Sequence, residues 1–211
     1  MGPSSSSIAL PQHLDLVQSA EDIEAVLDCL AVEVEGWAQE CQERDGRMLL
    51  MMCVLRGGAF FFSDLVQRIG YSIEPAFCRA WSYAKDMTAK PEDAVKIDWP
   101  EVDLRGRDVV LVDNICDTGR TFAQATVEVL AREPARVRTV SFLRRKQVEV
   151  IHEPTLSGVS YTGPEWLVGY GLRDRGTTMM NARLVARVRD TENTGFTANN
   201  SSSPFAYKAV F

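Results

Sequence analysis

Asp113, Asn114 and Asp117 follow the apolar run Val109-Val110-Leu111-Val112, and Thr118, Gly119, Arg120 and Thr121 come directly after them. This order of residue types suits the binding of a phosphorylated sugar. A buried strand would deliver the acid and amide groups at its carboxyl end. Asp113 and Asn114 can accept hydrogen bonds from sugar hydroxyls and help position a divalent cation. Gly119 permits close backbone approach, and successive N–H groups with the Thr118 and Thr121 hydroxyls can wrap a phosphate. The positive end of a following helix would add to the attraction. An Asp-Thr-Gly alone also occurs in ordinary turns. The specific signal is the whole series of strand, acids, tight turn and helix. A second candidate turn is Arg56-Gly57-Gly58, after the apolar run that ends at Leu55.

Holding two such turns in place requires a sheet, and the sequence supplies one. Ser19-Ala20-Glu21-Asp22 has the form of a capping box. Behind it Ile23, Val26, Leu27, Leu30, Val34, Trp37, Ala38 and Cys41 recur at helical spacing, and Asp45-Gly46 ends that helix. Met48 to Leu55 is a continuous apolar run, the pattern of a strand buried on both faces. Ala59 to Ile69 reads as a helix closed by Gly70. Ala76 to Ala84 reads as a strand, and Lys85 to Gly106 as a long polar loop, with room for short strands, of the kind that forms lids. Asp108 to Val112 is a strand, Asp113 to Gly119 a turn, Thr121 to Arg132 a helix and Val137 to Leu143 a strand. Leu167-Val168 and Leu184 to Val188 are shorter strands. Alternation of this kind predicts an α/β fold, a doubly wound and mainly parallel sheet with helices on both faces. Ligands then bind beyond the carboxyl ends of the strands, which is where both turns fall.

Composition narrows the field. The chain has 211 residues, 45% hydrophobic and 25% charged, with a net charge of −6. That excludes disorder along most of its length and argues against holding nucleic acid by bulk attraction. No apolar stretch reaches the ~18 residues of a membrane span. Five cysteines without a C-x-x-C, mostly inside apolar runs, predict reduced, buried thiols and a cytoplasmic protein. His13 and His152 are the two histidines, neither near a cysteine, so a zinc site and a histidine triad are both disfavoured.

The segment Val109 to Thr121 resembles the phosphoribosyl-pyrophosphate (PRPP) signature of the type I phosphoribosyltransferases. More narrowly, the chain resembles the hypoxanthine-guanine phosphoribosyltransferases from about Ser19 to Val188. Val54-Leu55-Arg56-Gly57-Gly58 resembles that family's pyrophosphate loop, which often carries a non-proline cis peptide. Ser82-Tyr83 resembles the serine-tyrosine pair of its flexible lid. Ser141 to Arg145 falls where the family carries a lysine to the purine 6-oxo group. Glu165 to Leu172 resembles its hood segment, which stacks on the base.

The resemblance implies transfer of the 5-phosphoribosyl group from PRPP to a purine base of the 6-oxo type, such as hypoxanthine or guanine. Pyrophosphate is released and a nucleoside 5′-monophosphate is formed, as in purine salvage. It implies Asp117 as the general base or hydrogen-bond partner at purine N7, and Thr118, Gly119, Arg120 and Thr121 on the 5′-phosphate. Asp113 and Asn114 would hold the ribose, Arg56 and Gly57 the pyrophosphate, and Ser82 and Tyr83 the lid. Arg145, Trp166 and Leu167 would hold the base, and Asp113 and Asp174 would serve Mg²⁺. It further implies no nucleic-acid or membrane partner, and a homodimer or homotetramer. The expected organisation is a partly disordered arm over 1–18, a core with hood over 19–190 and a polar, aromatic tail over 191–211.

Four positions depart from the family pattern. Asn114 stands in place of a second acid, Arg145 in place of lysine, Arg173 in place of a metal-binding aspartate and Met179 in place of an arginine, for which Arg175 or Arg183 could substitute. Two readings besides a salvage enzyme therefore stay open. One is a catalytically weak homologue that binds PRPP or a nucleotide and regulates. The other is a transferase for an unusual base. An ordinary dinucleotide-binding domain is disfavoured, since no G-x-G-x-x-G follows a strand.

Overall fold

The computed structural model describes residues 10–82, 95–146, 149–173 and 179–189. Its elements run β1 (Leu14–Gln18), α1 (Ala20–Asp45), β2 (Leu49–Leu55), α2 (Gly58–Val66), β3 (Ile73–Ser82), β4 (Val95–Asp98), β5 (Asp108–Cys116), α3 (Arg120–Leu130), β6 (Arg136–Lys146), β7 (Leu156–Thr162), β8 (Leu167–Val168), a 3₁₀ turn at Met179–Asn181 and β9 (Val185–Val188). A six-stranded sheet has the order β4-β3-β2-β5-β6-β7. Its strands are parallel except β4, which pairs antiparallel with β3 at the edge. The expected doubly wound sheet is present.

The central strand β2 shows why. Leu49, Met51 and Cys53 join a core with Ile23, Leu27, Leu30 and Val34 of α1 and Phe61 and Leu65 of α2. Leu50, Met52 and Val54 turn to the opposite face and pack with Phe122, Ala125 and Val129 of α3. A strand covered on both sides must be apolar at every position, and this one is. The capping box forms as expected. The Asp22 N–H donates to Ser19 Oγ at 3.1 Å, and the Ser19 N–H donates to Asp22 Oδ2 at 2.9 Å. Gly46, at φ +70°, closes α1 by donating to the Gln42 carbonyl.

Two expectations change, for residues 14–18 and for Cys29, and the short strands allowed after Lys85 are represented by β4. Residues 14–18, read as part of a loose arm, form β1, which pairs with β9. With β8 they make a small antiparallel hood sheet. The polar stretch after Lys85 contains β4, whose alternating burial covers one side of the sheet edge. Cys29 is exposed, because it falls between the buried positions of α1, whereas Cys41, Cys53, Cys78 and Cys116 are buried free thiols. Burial pushes the Cys53 and Cys78 thiols up to about 12. Among the described residues, no helix is long and apolar enough to cross a membrane.

Candidate active site

β5 runs on to Cys116, so Asp113 and Asn114 belong to the strand and not to the turn. Asp113 pairs in register with Ser141 of β6, and Cys116 with Arg144. The turn proper is Asp117 to Gly119. Gly119 takes the left-handed conformation, φ +84°, and as the N-cap of α3 it offers no side chain to the helix's first N–H groups; α3 begins at Arg120 and has no acid in its first turn. Those donors suit an anion, as the sequence suggested.

A strap unforeseen in the sequence holds this turn from behind. The Ile151 N–H donates to the Thr118 carbonyl at 2.9 Å. The next residue, His152, lies against Gly119 so closely that a Cβ there would stand 2.3 Å from the His152 carbonyl oxygen. The His152 ring bonds Thr139 Oγ1 at 3.1 Å, and burial lowers its pKa. Glu153 takes a two-pronged ion pair from buried Arg144, Nη2 lying 2.6 Å from Oε1. Gly119→Ala therefore meets a backbone clash and an unfavourable φ together. It is expected to cost about 2–4 kcal/mol and to lower the melting temperature by roughly 5–15 °C, measured by thermal denaturation. A melting temperature equal to the parent's would mean that the strap does not bear on the loop.

The second turn meets β5 just ahead of the first. The Leu55–Arg56 peptide is cis, Arg56 is exposed, and its carbonyl accepts from the Ala59 N–H at 3.2 Å. A Cβ on Gly58 would lie 3.3 Å from Asp113 Oδ1, and one on Gly57 would lie 3.0 Å from Asn114 Oδ1. Asp113 is half-buried and forms no ion pair with a lysine or arginine among the described residues. Desolvation pushes its carboxyl up to about 7, against the opposing effect of the Asn114 N–H, which donates to Oδ1 at 2.8 Å. Asn114 departs from expectation. It is 4% exposed and its Nδ2 donates to the Tyr170 carbonyl at 3.1 Å, so its side chain faces the hood and not an open cleft. Strand alternation turns Asp113 and Asn114 to opposite sides.

On the other flank Asp117 and Arg145 come together, Nε to Oδ1 at 3.1 Å. The Arg145 Nη1 donates to the carbonyls of Gly163 and Glu165, and its guanidinium lies 5.3 Å from the Tyr161 ring centroid. The Tyr161 hydroxyl donates to Glu165. Arg145 is thus buried, with its Nε and Nη1 engaged. Trp166 is 55% exposed, with its Nε1 donating to the Arg173 carbonyl at 2.9 Å, while Leu167 is buried beside it. An exposed indole held at one edge can offer a flat face to an aromatic ligand.

Ser82 ends β3 opposite Val95 of β4. Tyr83, Asp174 and Arg175 lie outside the described residues, as does the tail after 189. Arg183 is engaged elsewhere: it pairs with Glu24 of α1 and approaches Asp64 of α2 at 3.5 Å, within a network that includes Arg68 and Asp28. It does not replace the arginine missing at Met179. No group of three or more potential metal ligands occurs among the described residues. A magnesium ion carried by substrate phosphates needs only one or two carboxylates, and Asp113 fits that requirement.

Residues 22–174 match the family model described as the phosphoribosyl transferase domain. The hypoxanthine phosphoribosyltransferase of Haemophilus influenzae is 30% identical over 164 residues, covering 76% of this chain and 87% of that protein. The hypoxanthine-guanine phosphoribosyltransferase of Aquifex aeolicus is 29% identical over 183 residues, covering 85% and 97%. Among solved structures, a hypoxanthine phosphoribosyltransferase from Staphylococcus aureus superimposes with a TM-score of 0.71 at 24% identity, covering 83% of this chain and 91% of that one.

Proposed function

The chain belongs to the phosphoribosyl transferase domain family, and from that premise we propose that it transfers the 5-phosphoribosyl group of PRPP to a 6-oxopurine such as hypoxanthine or guanine, releasing pyrophosphate. The observation that carries this reading is the meeting of three parts at the sheet's carboxyl edge. They are the start of α3 with a glycine N-cap behind Asp117 to Gly119, a half-buried carboxylate at Asp113, and the Asp117–Arg145 pair beside exposed Trp166.

Each part has a task in the reaction. The α3 N–H groups, with the Thr118 and Thr121 hydroxyls, hold the 5′-phosphate and so fix the sugar. Asp113 accepts from a ribose hydroxyl and would hold Mg²⁺ brought in with PRPP, whose charge would help neutralise the diphosphate. Asp174 is a second candidate for that ion. Arg56 and the Gly57 backbone meet the leaving pyrophosphate. Trp166 lies on the face of the base, and the Leu167 backbone reads its edge. As a purine ring nitrogen bonds the ribose carbon and the bond to pyrophosphate breaks, positive charge builds on the base, and Asp117 accepts the N7 proton that neutralises it. With Nε and Nη1 bound to protein, Arg145 offers Nη2 to the 6-oxo group. A fixed planar fork of this kind reads an oxo acceptor and not an amino donor.

The test is pyrophosphate release from PRPP with Mg²⁺ and hypoxanthine, guanine, xanthine or adenine in turn. Turnover is expected with a 6-oxopurine and not with adenine. No turnover with any base, alongside measurable nucleotide binding, would replace this reading with that of a weak, regulatory homologue. The inward turn of Asn114 is the observation that favours the latter.

A further inference from the structure

We infer that Asn114 is a positioning residue that latches the hood to the chemistry-bearing strand through its carboxamide. Three backbone segments meet around this side chain. The first is the Arg56-Gly57 turn, the second is β5, and the third is the hood segment Tyr170-Gly171. A Cβ on Gly171 would stand 2.0 Å from the Gly57 carbonyl oxygen and 2.7 Å from Asn114 Nδ2. The segments are in direct backbone contact, and one amide group occupies the space between them.

Tyr170 is held so that its carbonyl must point inward. It sits at φ +47°, uncommon for a residue with a side chain. Its N–H donates to the Ala182 carbonyl at 2.9 Å, and its hydroxyl to Asp64 Oδ2 on α2 at 2.9 Å. Its ring meets Phe142 of β6 edge-on, with centroids 5.0 Å apart. The residue is 3% exposed. With backbone, ring and hydroxyl all fixed, the carbonyl cannot turn to water and needs a donor. Asn114 Nδ2 is that donor, at 3.1 Å. A carboxylate here has no proton to give and would set a negative oxygen against the carbonyl oxygen.

The latch matters for the base because Trp166 and Leu167 lie on the same hood segment. Val188 donates to the Trp166 carbonyl, and Gly171 donates to the Met180 carbonyl, so this segment moves as one unit with β9 and the 3₁₀ turn. Asn114 therefore sets the distance from the indole to the strand that carries Asp113 and Asp117. The consequence for the base rests on the transferase reading, whereas the latch itself rests on geometry alone.

The experiment is amide hydrogen exchange on the parent, Asn114→Asp, Asn114→Ala and Asn114→Ser, followed over residues 166–172 and compared with residues 23–41 of α1. Losing a buried partner predicts exchange in the hood segment faster by roughly tenfold or more in the aspartate variant, less in alanine and least in serine, which keeps a hydroxyl donor. Exchange in α1 stays at the parent rate. If turnover is found, the base KM rises by a similar factor while the PRPP KM moves less than about threefold. Hood exchange equal to the parent's in both the alanine and aspartate variants overturns the latch. Should the aspartate variant not fold, the order of parent, serine and alanine decides the matter. A parent that turns over no base removes the transferase reading and leaves the exchange result standing.

Discussion

Asp117→Asn lowers kcat by about two to four orders of magnitude without disturbing the fold. The side chain is 53% exposed, so it contributes little to the core. Its partner Arg145 is buried, but keeps its bonds to the Gly163 and Glu165 carbonyls whatever stands at 117. Asparagine is nearly the same shape and its carbonyl oxygen can still accept from Arg145 Nε, so that arginine keeps a partner. What disappears is the capacity to take a proton. Steady-state kinetics should therefore show a collapse in kcat with the PRPP KM within about threefold and the melting temperature within a few degrees of the parent's. A kcat within threefold of the parent's would remove Asp117 from the proton-transfer step.

Asp113→Asn is expected to abolish productive PRPP binding and yet to stabilise the protein above neutral pH. The sign follows from linkage. The carboxyl ionises near 3.8 in the unfolded chain and only at about 7 in the folded one. The folded state therefore holds the proton more tightly. The resulting penalty is absent well below 3.8, grows as the pH rises through that window and is complete above about 7. Asparagine has no charge to desolvate and keeps an oxygen for the Asn114 N–H. At pH 8 it should gain about 1–2 kcal/mol, discounted for partial exposure, or roughly 2–8 °C in melting temperature. At pH 4 the gain should be close to zero. Calorimetry at the two pH values, with titration of Mg²⁺ and PRPP, checks both halves. An equal gain at both pH values, or none at either, would show that Asp113 carries no desolvation penalty. Such an opposition of stability and binding is common where a site keeps a charge for its ligand.

The sequence makes some of this architecture plain and hides other parts for identifiable reasons. Strands β2 and β5 stand out because burial on both faces leaves them continuously apolar. Helix α1 stands out because its cap is local. Edge strands do not declare themselves in this way. β4 and β7 lie at the ends of the main sheet, and β7 is the run Leu156-Ser157-Gly158-Val159-Ser160-Tyr161-Thr162, whose small polar residues face outward and read as a loop. The same division runs through the site. The turn from Asp117 to Gly119 is legible because its geometry is made by consecutive residues. The inward orientation of Asn114 is not legible because it depends on where β5 ends. The bonds of Arg145 to Gly163 and Glu165, and the strap at Ile151-His152-Glu153, are contacts between distant segments that no spacing rule contains.

One feature of β6 couples the two halves of the site. Arg144 and Arg145 are neighbours, and strand alternation sends them to opposite faces. Arg144 reaches Glu153 and thereby the strap behind the Asp117-to-Gly119 turn, while Arg145 reaches Asp117 and the hood. The span between the α3 end and the hood end of the site is therefore gauged by one covalent step, about 3.8 Å between Cα atoms, and not by a flexible join. Such a gauge tolerates changes in the rim loops, because none of them sets the span. It tolerates no shift in register: a slip of β6 by one residue would exchange the two arginines between faces and uncouple both ends at once.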